Sequence, residues 1–462
     1  MPARPEAEHE RGAVAAAPHQ PPDNGRYTVT CGMPPTDQRS GPGTAGTHGG
    51  VDTRRAALAV LALCTTINVV SRGVGESFAV FLLPVAEAFE ADRGALTGIY
   101  GLYMLAVGLM SPIAGTAFDR LGPRLTYGIG LSVFGLAYLL AGSASALWQI
   151  YLLVGLGGAV GASLIGMLPA SGLASRWFQA GLPVAMGVLS ASLGVGILLF
   201  APLVHALIEA FGWRAAYRAL GGLMIAVLVL STVLPWRRIA AGSPAVVAAR
   251  RDAAVGTQAW SLRRALRTPV FWALFAVMFF TTMSTYAVAP QLVAYLVDAG
   301  LPPLRAASIY GTVGLMSIVG MVAAGALAQR FGERRVAMLS YGSTIAGVGA
   351  LALVPQGSPM LFAGAFVLLF GTMQGSRGPL VAVLSARHFA GGAQTGIFGG
   401  ILFGMGTGGA LGAWGSGALF DLTGGYGASF VLSAAGAACG LFLFLRVPGL
   451  GGPQIRRTAP AD

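Results

Sequence analysis

The sequence predicts an all-α membrane protein whose twelve transmembrane helices form two six-helix pseudo-repeats. Three observations lead to this fold class. The chain of 462 residues is 55% hydrophobic and only 10% charged, whereas an average soluble domain has about 25% charged residues. The apolar residues fall into runs near or above the roughly 20 residues that a helix needs to cross a bilayer. The two halves also share motifs. A water-soluble globular enzyme is therefore nearly excluded.

The first segment, residues 1–52, is predicted to be a disordered N-terminal tail. It is rich in Pro, Gly, Ala, Ser and Thr and contains no apolar run, so it cannot bury enough surface to offset the entropy of ordering. It also lacks the apolar core of a secretory signal. A start codon assigned too far upstream is an alternative explanation for this segment.

Twelve apolar stretches follow the tail, and one long interior connection separates them into two sets of six. We predict an N-terminal six-helix bundle at 53–235, a basic cytoplasmic linker at 236–268, a C-terminal six-helix bundle at 269–446 and a C-terminal tail at 447–462. The predicted spans, in order, are Ala56–Leu83, Ala95–Phe118, Leu125–Ser143, Leu147–Ala174, Leu182–Ala210, Ala215–Leu234, Val270–Val297, Ala306–Ala328, Val336–Val354, Pro359–Ala386, Gly392–Phe420 and Gly427–Leu445.

The placement of the arginines predicts the orientation in the membrane. The formal net charge is +12, and most arginines of the membrane part fall in the linker and in the other connections that follow even-numbered spans. By the positive-inside rule these segments face the cytoplasm, so both termini are cytoplasmic. We therefore expect a multi-pass protein of a bacterial inner (plasma) membrane that contacts anionic lipids at its cytoplasmic face. The basic charge then requires no nucleic-acid partner.

A short motif between the second and third spans recurs between the eighth and ninth. Residues Gly115–Arg124 read G-x-x-x-D-R-x-G-x-R, and Gly325–Arg334 keep this spacing, with Gln329 in the place of Asp119. Tandem six-helix repeats joined by a cytoplasmic linker are typical of carriers whose two halves rock about a midplane site.

These features resemble the major facilitator superfamily over residues Arg54–Leu445. The first copy of the motif is similar to that family's signature loop, and the resemblance implies that its charges form a latch that closes the cytoplasmic end of the carrier in one state. Because the spacing recurs in the second half, we assign both copies to a cytoplasmic gate. The predicted gate residues are Asp119, Arg120, Arg124, Arg330 and Arg334. Alternatively, these charges only orient the protein.

Two further segments resemble the monocarboxylate porters and oxalate/formate antiporters of this superfamily. They are Arg176-Trp177-Phe178, before the fifth span, and Phe420–Tyr426, at the end of the eleventh. The resemblance implies a small organic anion as substrate. The chain departs from that branch because its eighth span carries no charge and its eleventh span no lysine. These departures argue against a specific dicarboxylate exchange.

Three formal charges fall well inside the predicted spans: Arg72 and Glu76 in the first span and Arg377 in the tenth. A charge at the membrane centre costs roughly 2.5–3.5 kcal/mol on insertion scales, so it normally faces a cavity or a partner. Asn68, Arg72 and Glu76 recur every four residues and therefore share one helical face. The family resemblance places the first and tenth helices around the central cavity. We therefore expect Arg72 and Arg377 to reach one cavity.

Arginine is suited to bind a carboxylate because its guanidinium stays protonated and offers a planar, bidentate fork. The predicted substrate-binding residues are Arg72, Arg377, Asn68, Tyr286 and Gln291. Glu76 is a candidate for carrying a coupling proton; alternatively, it forms a structural ion pair with Arg72. Arg377 could instead satisfy carbonyls freed where Gly375 and Ser376 weaken its helix, or serve the gate. Three tyrosines are further candidates: Tyr100, Tyr103 and Tyr310.

We therefore expect a secondary active transporter that moves a small organic anion, most simply a monocarboxylate, by alternating access. Proton symport, exchange and uniport remain open. A drug or neutral-metabolite exporter of the same fold is one alternative, and a non-transporting membrane sensor built on a carrier scaffold is another. The sequence predicts no catalytic motif, metal site or cofactor. The expected partners are thus the substrate, the bilayer and, for symport, protons.

Overall fold

The computed structural model describes residues 48–178, 181–244, 246, 260–389, 394–447 and 450. Every regular element within these residues is a helix, and nine helices of the described part are long and apolar enough to cross a membrane. The all-α membrane fold expected from composition is thus confirmed. The predicted tails fall almost entirely outside the described residues, as does the middle of the linker. The first helix begins at His48, within the last residues of the predicted N-terminal tail.

The helices are bounded as follows. Before the linker they are α1 (His48–Glu76), α2 (Phe78–Phe89), α3 (Arg93–Ala141), α4 (Leu147–Ile150), a π-helical segment (Tyr151–Gly157), α5 (Gly158–Ile165), α6 (Met167–Trp177) and α7 (Leu182–Thr232). The linker contains α8 (Trp236–Ala241) and α9 (Leu262–Ala265). After it come α10 (Pro269–Tyr286), a 3-10 turn (Ala289–Gln291), α11 (Leu292–Asp298), α12 (Pro303–Phe331), α13 (Glu333–Ala352), a 3-10 turn (Val354–Gln356), α14 (Pro359–Phe366), a second π-helical segment (Val367–Gly371), α15 (Thr372–Gln374), α16 (Arg377–His388), α17 (Gln394–Thr423) and α18 (Gly427–Arg446).

Two helical runs are far longer than a membrane requires, and each is bent at a glycine. The run α3 has 49 residues and α7 has 51, against the roughly 20 that span a bilayer. Within them Gly122 has φ 76° and Gly212 has φ 78°, both outside the helical region. Glycine adopts such angles readily because it has no Cβ. Each run is therefore two helices joined by a sharp kink, close to the connections predicted from sequence.

Small residues bring the helices of the first half against those of the second. A Cβ on Gly108 of α3 would lie 2.9 Å from the Cα of Gly406 in α17. Likewise, a Cβ on Gly314 of α12 would lie 2.7 Å from the carbonyl oxygen of Gly194 in α7. Such positions allow backbones to approach closely in a membrane. The two halves of the chain thus meet along two glycine-lined seams, α3 with α17 and α7 with α12.

Both seams lose their close contacts toward one end of the bundle. On α3, Gly94 and Gly101 lie against α17, whereas Gly115 has no described atom within 4 Å of its Cβ position. On α12, Gly311 lies against α7, whereas Gly325 has no described atom that close. The seams are therefore tight where α3 and α12 begin and loose where these helices approach Asp119 and Arg330.

The segment Arg176-Trp177 fastens the start of the linker. Nη1 of Arg176 donates to the carbonyl oxygen of Ala240 (3.1 Å), and Nε1 of Trp177 donates to that of Ile239 (2.8 Å). Both acceptors belong to α8, whose Trp236 is buried. In this structure the motif therefore holds α8 against the end of α6.

Candidate functional site

The polar face of α1 ends where the helix itself is interrupted. The backbone N–H of Val80 donates to the carbonyl oxygen of Ser77 (2.9 Å), which departs from the i to i−4 pattern that would engage Glu76. The hydroxyl of Tyr310, in α12, donates to the carbonyl oxygen of Glu76 (3.4 Å). The break between α1 and α2 is thus contacted by a helix of the second half of the chain.

The side chain of Glu76 is the centre of a tyrosine cluster. Glu76 is only 5% exposed, and its carboxylate accepts hydrogen bonds from Tyr100 (2.7 Å) and Tyr286 (3.2 Å). The ring of Tyr100 lies 5.5 Å from the rings of Tyr103 and Tyr286. A buried carboxylate requires such donors because it has lost its water. The cluster joins α1, α3 and α10.

Arg72 lies one turn before Glu76 and is half-buried. It interacts electrostatically with Glu76, Tyr103 and Tyr286. Within the described residues, however, its guanidinium takes part in no hydrogen bond and in no ion pair within 4.0 Å. The structure thus places a cation without a described hydrogen-bond partner beside a carboxylate that already has its own donors.

Asn68 and Gln291 lie near this cluster in sequence but do not contact Glu76. Nδ2 of Asn68 donates to the carbonyl oxygen of Cys64 in its own helix (2.9 Å). Nε2 of Gln291 donates to the hydroxyl of Ser416 in α17 (2.9 Å), while its Oε1 is buried without a hydrogen bond in the described part of the chain. Of the predicted substrate-binding residues, the structure therefore brings Arg72 and Tyr286 together around Glu76.

Arg377 occupies a separate polar site. It begins α16 directly after the predicted weak point at Gly375 and Ser376, where the helix is interrupted, and it is 2% exposed. Nε donates to the hydroxyl of Ser340 (3.1 Å), and Nη2 donates to the Ser340 carbonyl oxygen (2.8 Å) and to the Thr344 hydroxyl. Nη1 has no acceptor among the described residues. All these partners lie in α13, so the described contacts of Arg377 share no residue with those of Arg72.

The charged side chains in the first copy of the predicted gate motif are exposed and form no described ion pair. Asp119, Arg120 and Arg124 are exposed, and none of them forms an ion pair with another described residue. In the second copy, the Arg330 guanidinium lies 5.4 Å from the ring centroid of Phe331. The predicted gate residues Asp119, Arg120, Arg124 and Arg330 therefore form no ion pair among the described residues.

Arg334 of the second motif copy lies near an ion pair that the sequence did not predict. Nε and Nη2 of Arg334 donate to the carbonyl oxygens of Phe444 (2.8 Å) and Leu445 (2.7 Å) at the end of α18. Carbonyls at a helix C-terminus lack intrahelical donors, and a cation there is favourable. Nearby, Arg387 and Glu333 form an ion pair at 2.7 Å. The sequence held no signal for this pair because the partners come from α16 and α13.

The opposite end carries a second charged cluster that sequence reasoning did not identify. Nη2 of Arg93 lies 3.1 Å from Oδ2 of Asp298, which also accepts from the hydroxyl of Tyr426 (2.6 Å). Asp421 accepts from the backbone N–H groups of Arg93 (3.0 Å) and Gly94 (2.6 Å). Asp421 and Tyr426 lie in the Phe420–Tyr426 segment noted in the sequence, but Arg93 and Asp298 are far from it in the chain, so no local spacing predicts that the four residues meet. Across the described residues, no group of His, Cys, Asp or Glu is arranged to hold a metal ion.

Comparison with known proteins supplies the family. Residues 61–401, well over half of the chain, match the Major Facilitator Superfamily. The chain belongs to this superfamily. It is therefore a multi-pass membrane transporter and not an enzyme, and the resemblance drawn from the Asp119 motif is confirmed.

Named relatives of this carrier support the branch as well. It is 29% identical to monocarboxylate transporter 13 of Bos taurus over 81% of this chain and 85% of that protein. It is 28% identical to monocarboxylate transporter 11 of Homo sapiens over 84% of this chain and 82% of that protein. The oxalate:formate antiporter of Oxalobacter formigenes is 27% identical over 53% of this chain and 55% of its own length.

Proposed function

We propose that this transporter moves a small organic anion, most simply a monocarboxylate, and that Arg72 binds its carboxylate. The observation that carries the proposal is the half-buried Arg72 guanidinium, which has no hydrogen-bond or ion-pair partner among the described residues. Guanidinium remains charged in a protein and presents five donors. A carboxylate can satisfy it through two parallel hydrogen bonds. The names of the relatives favour the same class of substrate.

The contacts of the other predicted binding residues support a role in binding to different degrees. Tyr286 donates to Glu76, one helical turn from Arg72, so it can donate to an anion bound beside Arg72 once that hydrogen bond is released. Arg377 has a free Nη1, but its contacts with α13 must rearrange before it meets the same ligand. To bind the anion, Asn68 would have to release the carbonyl oxygen of Cys64, and Gln291 would have to release the hydroxyl of Ser416. Arg72 is therefore the principal assignment.

For the coupling ion, we propose that Glu76 takes up a proton when its tyrosine partners separate. Its donors Tyr100 and Tyr286 come from the first and second halves of the chain, so a relative movement of the halves changes the environment of the carboxylate. Exchange and uniport remain the alternatives. Net uptake driven by a proton gradient, lost in Glu76→Gln while counterflow persists, would support symport.

We further propose the twelve-helix, two-repeat architecture with bundles at 53–235 and 269–446. Gly332, which opens α13, has φ 86° and ψ 150°, close to the φ 76° and ψ 166° of Gly122 at the matching position of the motif. The π-helical segments Tyr151–Gly157 and Val367–Gly371 lie in the fourth and tenth predicted spans. Equivalent irregularities at equivalent places support an internal repeat.

The proposed orientation places both termini and the loop of Asp119 in the cytoplasm of a bacterium, as the arginine distribution predicts. The seams are loose at that end, which in this orientation supports an inward-facing state. The unpaired Asp119, Arg120 and Arg124 fit this reading, because a cytoplasmic latch closes only when the carrier faces outward. Arg330 remains available to the same latch, while Arg334 is engaged by α18.

Transport in proteoliposomes tests the proposal. Radiolabelled acetate, lactate and pyruvate are offered to the purified carrier with and without ion gradients, and uptake and counterflow are measured. Arg72→Gln should raise the half-saturation concentration strongly, whereas Arg55→Gln, the same change at an exposed position of the same helix, should not. No carboxylate flux under any gradient would reject the proposal. Flux of neutral compounds alone would favour an exporter, and binding without flux would favour a sensor.

A further inference from the structure

The charged cluster opposite Asp119 joins the two halves of the chain. Arg93 and Gly94 begin α3, which belongs to the first half. Their partners come from the second half: Asp298 ends α11, Asp421 lies near the end of α17, and Tyr426 precedes α18. Every polar contact described above for this cluster except the one between Tyr426 and Asp298 therefore crosses from one half to the other.

The backbones of α3 and α17 also pack closely beneath the cluster. A Cβ on Gly417 would lie 2.7 Å from the carbonyl oxygen of Arg93 and 2.8 Å from the Cα of Gly94. A Cβ on Gly94 would lie 2.8 Å from Oδ2 of Asp421. The absence of these side chains lets Asp421 reach the first N–H groups of α3, where a negative charge is favoured by the helix dipole.

We propose that Arg93, Asp298, Asp421 and Tyr426 form an outer lock that holds this end of the carrier shut and that must open for the outward-facing state. This inference rests on the proposed alternating access and orientation, and it assigns a role to residues outside the substrate site and the Asp119 loop. At the other end, no described ion pair joins the two halves. The ionic contacts of the lock thus stabilise the inward-facing state, whereas the proposed latch of the Asp119 loop stabilises the outward-facing one.

The exposure of the lock suits a contact that forms and breaks repeatedly. The side chain of Arg93 is 15% exposed and that of Asp298 is 43% exposed. When the halves separate, water can hydrate both ions, so opening carries only a moderate penalty. A fully buried pair would be much harder to separate, because removing one partner leaves an uncompensated charge in an apolar surrounding. The outer lock therefore biases the equilibrium between states without trapping the carrier in one of them.

Distance measurements between spin labels test the lock without any substrate. After the three native cysteines are replaced, one label pair is placed at the outer end, on Glu87→Cys and Leu422→Cys. A second pair is placed at the opposite end, on Leu121→Cys and Phe331→Cys. All four positions are exposed. Each pair is measured in lipid nanodiscs by double electron–electron resonance.

Opening the lock should move the two pairs in opposite directions. Asp298→Asn and Arg93→Gln should each lengthen the outer distance and shorten the inner one, raising the ratio of outward- to inward-facing molecules by about three- to tenfold, the range for losing one partly exposed charge-assisted contact. The double variant should shift no further than the stronger single one, since both changes remove the same ion pair. Tyr426→Phe deletes a hydroxyl that only positions Asp298 within the second half, so it should give a smaller shift in the same direction.

Asp92→Asn is the matched control, because Asp92 precedes Arg93, is exposed and has no described polar contact of its side chain. Distances in Asp298→Asn and Arg93→Gln that equal those of wild type or of Asp92→Asn would overturn the lock. If a variant does not purify as a single species, Asp421→Asn, which weakens the contact across the halves with the N–H groups of Arg93 and Gly94, decides the same question. Carboxylate flux can fail while the distances shift, which would reject only the proposed substrate. Distances that stay fixed while flux persists would reject only the lock.

Discussion

Replacing Arg72 with glutamine should weaken substrate binding without unfolding the carrier. Within the described structure the guanidinium donates to no protein acceptor, so the change breaks no described hydrogen bond. A hydrogen bond to a charged group contributes about 1.5–3 kcal/mol, and each 1.4 kcal/mol corresponds to about a factor of ten. We therefore expect the half-saturation concentration of a small carboxylate to rise roughly 10- to 150-fold.

Two further variants separate the geometry of Arg72 from its charge. Arg72→Lys keeps the charge but loses the bidentate fork, so the half-saturation concentration should rise by roughly tenfold. Because Arg72 also attracts Glu76, the glutamine substitution should be repeated in the Glu76→Gln background. Direct carboxylate binding predicts a similar fold change in both backgrounds. A purely structural ion pair predicts that the effect disappears once the carboxylate of Glu76 is gone.

The assay is the initial rate of labelled carboxylate counterflow into preloaded proteoliposomes over a range of substrate concentrations, with Arg55→Gln beside each variant. Thermal unfolding in detergent establishes that each variant is folded. Wild-type half-saturation in Arg72→Gln would refute the reasoning, because the unpartnered guanidinium would then have no ligand. A large loss of thermal stability would equally contradict the absence of protein partners.

Three other outcomes follow from the contacts. Tyr100→Phe should slow uptake more than Tyr286→Phe, with effects of about two- to tenfold. The reason is that the hydrogen bond from Tyr100 to Glu76 is 2.7 Å long and that from Tyr286 is 3.2 Å long. Equal uptake rates in the two variants would contradict this role of the hydrogen bonds. Gly122→Ala should destabilise the fold by about 1–3 kcal/mol, because the backbone conformation of Gly122 is essentially restricted to glycine. The control Gly115→Ala should not destabilise it. Melting temperatures of the two variants measure the difference. Arg334→Gln should lower the melting temperature through the lost bonds at the end of α18 and leave the half-saturation concentration unchanged.

Helical periodicity explains why part of the site was predictable. Asn68, Arg72 and Glu76 share a face in any α-helix, so their alignment on α1 follows from spacing alone. The partners of Glu76 do not, because Tyr100, Tyr286 and Tyr310 come from three other helices. The sequence marked these tyrosines as candidates by composition but held no information that they would converge on one carboxylate.

Arg377 shows the opposite case. Its intramembrane charge and the weak helix at Gly375 and Ser376 were visible in the sequence, and the helix is interrupted there. The sequence could not predict which residues the Arg377 side chain contacts, because these contacts depend on the rotation of α16 relative to α13. In the structure the guanidinium is taken up by Ser340 and Thr344. The expectation that it shares a cavity with Arg72 stays a prediction for other states of the carrier.

The sequence by itself determined that this protein is a helical membrane transporter, because burial in a bilayer demands long apolar helices and the Asp119 motif is specific to its family. Only the tertiary structure decided which end is closed and which charges remain free. Both depend on contacts between residues hundreds of positions apart, such as Arg93 with Asp421 and Tyr286 with Glu76. Such contacts arise from the packing of whole helices, and no local pattern encodes their register.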